Sequence, residues 1–433
     1  MFEIKIRNRW IVVIGAVLIQ LALGTIYSWG NLTPYFTSYL QAQNSNILYQ
    51  HTQYIFAVGL LAFAVTMIFS GKLQQKMGPM TVGLIGAVLM SLGVILTFFM
   101  KSFVGAFFTY GILFGIGIGF AYVCPIACAA KWFPDKKGLI NGIAVAGFGA
   151  GAFIFNLITK AFINPNNLDP TIINTIDGKK YYEAVSPIIE RVPWIFLLLG
   201  GIYLLMTVGG SFLLQNPEEG YCPPNWAPPV KLSEDGKEIL VEIPREKSIR
   251  TPQFWMLWGM FILTAAAGLF TIGNFKTFGL EEGLTDVLLT QVGAWAALFN
   301  GLGRIFWGFL SDKLGYKKTM FAMFGVQAIL MVLLPIIGGI GWFFFIVVNL
   351  IYFCFGGNFS LYPTATADTF GIQNLGPNYG LVFTAYGIAG IAGALLSSVL
   401  GATIGFIGLF IIMGVLSLGA IGLAYFLKPP EQA

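Results

Sequence analysis

Arg304 is the residue of this chain whose type and setting most clearly offer chemistry, because the stretch LFNGLGRIFWGFLSDK places a permanent charge inside an apolar run. It stands four residues before Gly308, which puts it about one turn inside the expected end of its helix. A charge near the centre of a bilayer costs about 2.5–3.5 kcal/mol on insertion scales, so such a residue usually faces a cavity or a pathway. The plainer alternatives are that it snorkels to the interface or caps the carbonyls of a helix end. No Asp or Glu occupies the middle of an apolar run, and the nearest, Asp368, lies at the end of its own run. A guanidinium in these surroundings suits an anionic ligand, and its planar fork matches a carboxylate with two parallel hydrogen bonds. Asn300 stands one i,i+4 step earlier and projects to the same side, where it can orient the guanidinium or bond the same ligand. The aromatic residues expected at similar depth are Tyr27, Tyr122, Phe148, Phe355, Phe359 and Tyr386. Any single aromatic in a membrane helix more often packs or meets lipid. The three tyrosines are the stronger candidates, since a buried phenol needs a partner.

Other chemistries find little support. With one histidine, His51, and four cysteines, no metal or cofactor is expected. Cys124 and Cys128 lie one helical turn apart, but two thiols without further N or S ligands do not make a zinc site. They read as small packing residues. No His cluster, carboxylate pair or nucleophile motif suggests an enzyme. The net charge of +5 requires no nucleic-acid partner.

The elements that position these residues are membrane helices. Hydrophobic residues make up 57% of the 433 and charged ones 10%, against roughly 25% charged in a soluble domain. A crossing helix needs about 20 mostly apolar residues. Continuous runs of that length recur at 10–38, 52–71, 79–100, 103–131, 138–160, 193–214, 252–278, 287–310, 316–339, 342–368, 378–400 and 403–427. The first run is too long for a signal-peptide core and lacks a small-residue cleavage site, so it is expected to remain as the first helix. Seventeen of the 24 Lys/Arg fall on the face shared by both termini and six on the other, with Arg304 inside a span. That bias predicts cytoplasmic termini in a cell membrane. The break from 215 to 250, rich in Pro and charge, reads as a linker between an N-terminal bundle, 1–214, and a C-terminal bundle, 251–433.

The two bundles repeat each other. Gly71-Lys-Leu-Gln-Gln-Lys76-Met-Gly78 follows the second span, and Gly308-Phe-Leu-Ser-Asp312-Lys313-Leu-Gly315 follows the eighth. In both, the glycines permit a tight turn and the cations can meet helix-end carbonyls or a carboxylate. Gln75 replaces Asp312 in the first copy. Pro125 and Pro363 sit late in the fourth and tenth spans, and AGFGAGAF at 146–153 echoes AYGIAGIAG at 385–393. Gly111, Gly115 and Gly119 make one smooth face in the fourth span, and Gly387, Gly390 and Gly393 another in the eleventh, for close helix packing. The expected fold is an all-α membrane protein of twelve helices in two parallel six-helix repeats, the layout of major facilitator carriers, with the binding site at the midplane.

Along nearly its whole length the sequence resembles the oxalate/formate antiporter family of that superfamily, which is itself similar to monocarboxylate transporters. The matching pieces are NRW at 8–10, YSW at 27–29, KWFPDKKGL at 131–139, RTPQFWMLW at 250–258, LFNGLGRIFWGFLSDKLG at 298–315, FGGNFSLYPTATADTFG at 355–371 and NYG at 378–380. The resemblance implies a carrier of small carboxylates working by alternating access, with Arg304 as the substrate-binding arginine and Tyr27 and Tyr122 lining the cavity. Two positions depart from the pattern. Tyr386 stands where the oxalate-exchanging branch has a second cation, a lysine. Asn300 stands where animal proton-coupled carriers have an aspartate. The expected substrate is therefore a monocarboxylate such as lactate, pyruvate, acetate or formate, moved with a proton or against a counter-anion, and the runner-up is oxalate:formate exchange. A membrane receptor or sensor would need a signalling domain that neither the short N-tail nor the residues after Leu427 supply.

Overall fold

The computed structural model describes residues 8–43, 46–174, 176, 180–224, 226–227, 231–232, 238–239 and 242–428. Of the cations counted above, Lys5, Arg7, Lys179 and Lys237 lie outside the described residues. The long helices, in chain order, are α1 (Arg9–Ala42), α2 (Tyr49–Met77), α3 (Pro79–Thr97), α4 (Phe103–Trp132), α5 (Lys137–Ile163) and α6 (Pro187–Phe212). After the linker come α7 (Pro252–Glu281), α8 (Asp286–Leu314), α9 (Tyr316–Ile337), α10 (Gly341–Phe370), α11 (Leu375–Val382) and α12 (Thr384–Phe426). The last of these turns sharply at Gly405, whose φ of +63° and ψ of −175° no helix interior allows. Its second leg, Thr403–Phe426, is long and apolar enough to serve as the twelfth expected span.

Among the described residues, ten segments are long and apolar enough to cross a membrane. Their outer faces carry Phe69, Leu205, Ile329, Ile336 and Trp342, all large, apolar and exposed. In water such faces drive aggregation, whereas against hydrocarbon tails they need no cover. The chain is a multi-pass membrane protein.

The helices divide between two compact units. One comprises 14–125 and 147–215, the other 1–13, 126–146 and 216–433. In the first unit α4 lies against α2 through the glycine face read from the sequence. A Cβ at Gly115 would stand 2.4 Å from the Gly59 carbonyl oxygen, and one at Gly119 2.8 Å from that of Phe63. The matching expectation for the eleventh span is not met at Gly390, where a Cβ would meet only the Leu269 side chain at 3.7 Å. Cys124 and Cys128 are buried as packing residues.

Segment 126–146 belongs to the second unit because the α4–α5 turn is bonded to α8 and α10. Asp312 accepts hydrogen bonds from the first peptide N–H groups of α5, Gly138 at 2.8 Å and Leu139 at 2.7 Å, where the helix dipole favours a carboxylate. Lys137 pairs with Asp368. Asn141 Nδ2 donates to Thr364 Oγ1 at 3.3 Å. The repeated turns behave alike: Gly78 and Gly315 hold φ of +84° and +81°, angles that cost a side chain energy. Gly71 is buried and Lys76 exposed. Lys313 lies 4.5 Å above the Phe309 ring rather than on a helix-end carbonyl.

Candidate functional site

The site around Arg304 begins with glycines. α8 and α10 cross backbone to backbone, so that a Cβ at Gly303 would stand 2.0 Å from the Phe353 carbonyl oxygen and one at Gly356 2.1 Å from that of Asn300. Only glycine permits an approach this close. It sets the α8 face bearing Asn300 and Arg304 beside the α10 face bearing Phe355 and Phe359, two aromatics one turn apart.

Arg304 is 1% exposed, among the largest fully buried side chains of the protein. Its guanidinium carbon lies 4.5 Å from the centroid of the Phe359 ring, a cation–π contact strengthened by desolvation. Nε donates to Asn300 Oδ1 at 3.0 Å, the bond the i,i+4 spacing anticipated. Nη1 donates to the backbone carbonyl of Val145 on α5 at 2.5 Å. These two acceptors, an amide and a peptide carbonyl, aim the fork. The residue lies deeper than the sequence suggested. α8 runs on through LSDKL to Leu314, which places Arg304 about 15 Å from the helix end at 1.5 Å per residue. The plain alternative of a helix-end cap is excluded by that depth.

The wall around the guanidinium is aromatic. Phe359 meets Phe355 at 5.4 Å and Tyr386 at 5.2 Å between ring centroids, both edge to face. Tyr386 also meets Phe383 at 5.5 Å and Phe261 at 6.3 Å. In so weakly polar a setting a charge–charge interaction is worth several times its value in water.

A second cluster stands in the other unit, with Phe148 as its hub. Tyr27 and Tyr122 pack edge-on to it at 5.4 Å and 5.3 Å, and Phe63 closes the group at 5.1 Å from Tyr122. α1 tightens to a 3₁₀ turn over Gly24–Ser28, the stretch that carries Tyr27. The crossing of α1 and α5 is again glycine-made, since a Cβ at Gly151 would stand 2.0 Å from the Leu21 carbonyl oxygen. Gln20 Nε2 donates to the Tyr122 carbonyl at 3.1 Å.

The expected residues thus fall into two groups: Arg304, Asn300, Phe355, Phe359 and Tyr386 in one, Tyr27, Tyr122 and Phe148 in the other. Val145, Phe63, Phe261 and Phe383 were not foreseen. Phe383 was detectable, three residues before Tyr386 on one helical face. Val145 was not, because it contributes only a backbone carbonyl.

The family model of the major facilitator superfamily matches residues 14–371 and, again, 283–433. The chain belongs to that superfamily. It is 29% identical to apicoplast pyruvate carrier 1 of Toxoplasma gondii, over 94% of this chain and 87% of the relative. To the oxalate:formate antiporter of Oxalobacter formigenes it is also 29% identical, over 98% and 92%. Among solved structures, the fucose:proton symporter of E. coli superposes with a TM-score of 0.71, covering 96% of this chain and 98% of that one. At 14% identity this likeness concerns the fold alone. The twelve-helix superfamily fold expected from the repeated segments is borne out.

Proposed function

We propose that this protein is a secondary active carrier of small monocarboxylates and that Arg304 anchors the carboxylate. The observation that carries the reading is the fully buried Arg304 fork, aimed by Asn300, stacked on Phe359 and set in an aromatic wall. A buried guanidinium recovers its desolvation cost when a carboxylate binds it in plane, and the rings of Phe355, Phe359 and Tyr386 suit a short apolar tail. Two relatives named for pyruvate and for oxalate and formate support the same substrate class. A dianion would bring a second charge against those rings, with Tyr386 at the place of a second cation. That favours a monoanion over oxalate.

The Val145 carbonyl and an arriving carboxylate would compete for the same Nη1. Substrate binding therefore loosens α5 from α8, and occupancy of the fork favours reorientation. A proton accompanies the substrate or a counter-anion returns. The face rich in Lys/Arg, with both termini, is cytoplasmic.

Counterflow in proteoliposomes tests the proposal: vesicles loaded with unlabelled pyruvate are expected to accumulate labelled pyruvate, lactate, acetate or formate transiently. Absence of counterflow with every member of this panel would overturn it.

A further inference from the structure

Two helix starts in this chain are each held by a carboxylate from a distant segment. At the first, Asp312, after α8, spreads its two oxygens over successive N–H groups at the start of α5.

The start of α11 holds the second of these carboxylates. Glu242, at the end of the linker, accepts from the peptide N–H of Gln373 at 3.1 Å through one oxygen and from that of Asn374 at 3.3 Å through the other. The Asn374 side-chain amide adds a third bond at 2.9 Å. The pattern is that of Asp312: one carboxylate, two successive N–H groups, one helix start.

The residues after Glu242 are stitched to the same turn. Ile243 N–H donates to the Phe370 carbonyl at 2.8 Å. Asn378 Nδ2 donates to the Ile243 carbonyl at 2.9 Å, and Ser248 Oγ donates to Asn378 Oδ1 at 2.6 Å. Ser248 and Asn378 are both fully buried, so this is an internal seam rather than a surface contact. Burial raises the Glu242 carboxyl above its ordinary range, opposed by the N–H groups of Gln373 and Asn374 and by the charge of Lys131 at the end of α4. α11 leads directly into Phe383 and Tyr386, the rings that face Phe359.

We propose that Glu242 is a positioning residue for transport: the linker carboxylate fixes the start of α11 and so holds Phe383 and Tyr386 against the Arg304 site. The linker is then a working strap, not a passive tether. Because Glu242 lies beyond reach of the substrate and between α11 and Lys131, its loss slows the cycle more than it weakens binding.

Three variants test this: Glu242→Gln, Glu242→Asp, and Glu246→Gln as a control on an exposed carboxylate of the same segment. Pyruvate exchange in proteoliposomes is expected to show a maximal rate about fivefold lower for Glu242→Gln, the order of a lost charge-assisted helix cap, with KM within twofold. Glu242→Asp, keeping the charge one methylene short, falls between. Limited trypsin digestion supplies a readout independent of substrate. Cleavage at Arg245 and Lys247 is expected to accelerate severalfold in Glu242→Gln and less in Glu242→Asp, because the strap undocks as the bonds of the carboxylate are lost. The exchange measurement rests on the carboxylate reading of the site, whereas the digestion does not, so failure of that reading leaves the second result standing. Unchanged cleavage in Glu242→Gln, or a raised KM with a preserved rate, would overturn the proposal.

Discussion

Gly142→Ala adds one methyl group, yet it is expected to disturb the Arg304 site through the backbone alone. The new Cβ would stand 2.3 Å from the Arg304 carbonyl oxygen and 3.0 Å from both the Arg304 carbonyl carbon and Ile305 Cα. None of these atoms can swing aside as a side chain would. Ordinary contact begins at 3.4 Å, so α5 and α8 must part by about 1.1 Å at this level. Val145 follows three residues later on the same face of α5. Its 2.5 Å bond from Arg304 Nη1 would stretch to about 3.6 Å, past hydrogen-bonding range. Losing a bond to a charged group costs about 1.5–3 kcal/mol, against about 1 kcal/mol returned by the better helix propensity of alanine. The expected variant is less thermostable in detergent. It binds pyruvate about three- to tenfold more tightly, because the carbonyl no longer competes for the fork, and it exchanges pyruvate more slowly, because α5 no longer docks fully. Gly201→Ala is the control: a Cβ there meets nothing within 4 Å, and stability should hold or rise. A Gly142→Ala protein as stable as that control, with unchanged pyruvate affinity, would refute the reasoning.

Arg304→Ala is expected to insert normally and lose carboxylate transport, with Arg304→Lys recovering only part of it for want of the planar fork; near-normal uptake by the alanine variant at matched expression would reject Arg304 as the anchor. Lactate and pyruvate are expected to compete for binding far better than oxalate, and Tyr386→Lys to shift preference toward the dianion, so oxalate competing as well as lactate in the unmodified protein would sink the monoanion reading. Exchange is expected to outpace net flux, with an inward proton gradient stimulating net uptake only modestly. Uptake into vesicles with and without preloaded acid, with and without the gradient, measures both, and strong gradient-driven accumulation that vanishes in Asp368→Asn would place a proton carrier in the protein.

The apolar spans, the superfamily fold and the Arg304–Asn300 pair were all legible in the linear chain. Each depends on a relation over short range: apolar residues long enough to cross a bilayer, a turn motif repeated in register, two side chains one helical turn apart. The same holds for Gly78 and Gly315, since a positive φ is a local demand that the residue type announces. Phe355 and Phe359 could be placed on one face for the same reason.

What faces that face was decided by tertiary packing. The sequence contains 54 glycines, and nothing in their spacing says that Gly303 and Gly356 would bring α8 onto α10, or that Gly390 would make no comparable approach. Val145 binds Arg304 through a group every residue possesses, so no residue type could have marked it. Glu242 reached α11 from 131 residues away, across a linker whose composition suggested only a tether. Periodicity and charge state are set by bonds along the chain. Partners across it depend on which backbones can come within contact distance, and that is settled only when every helix has packed.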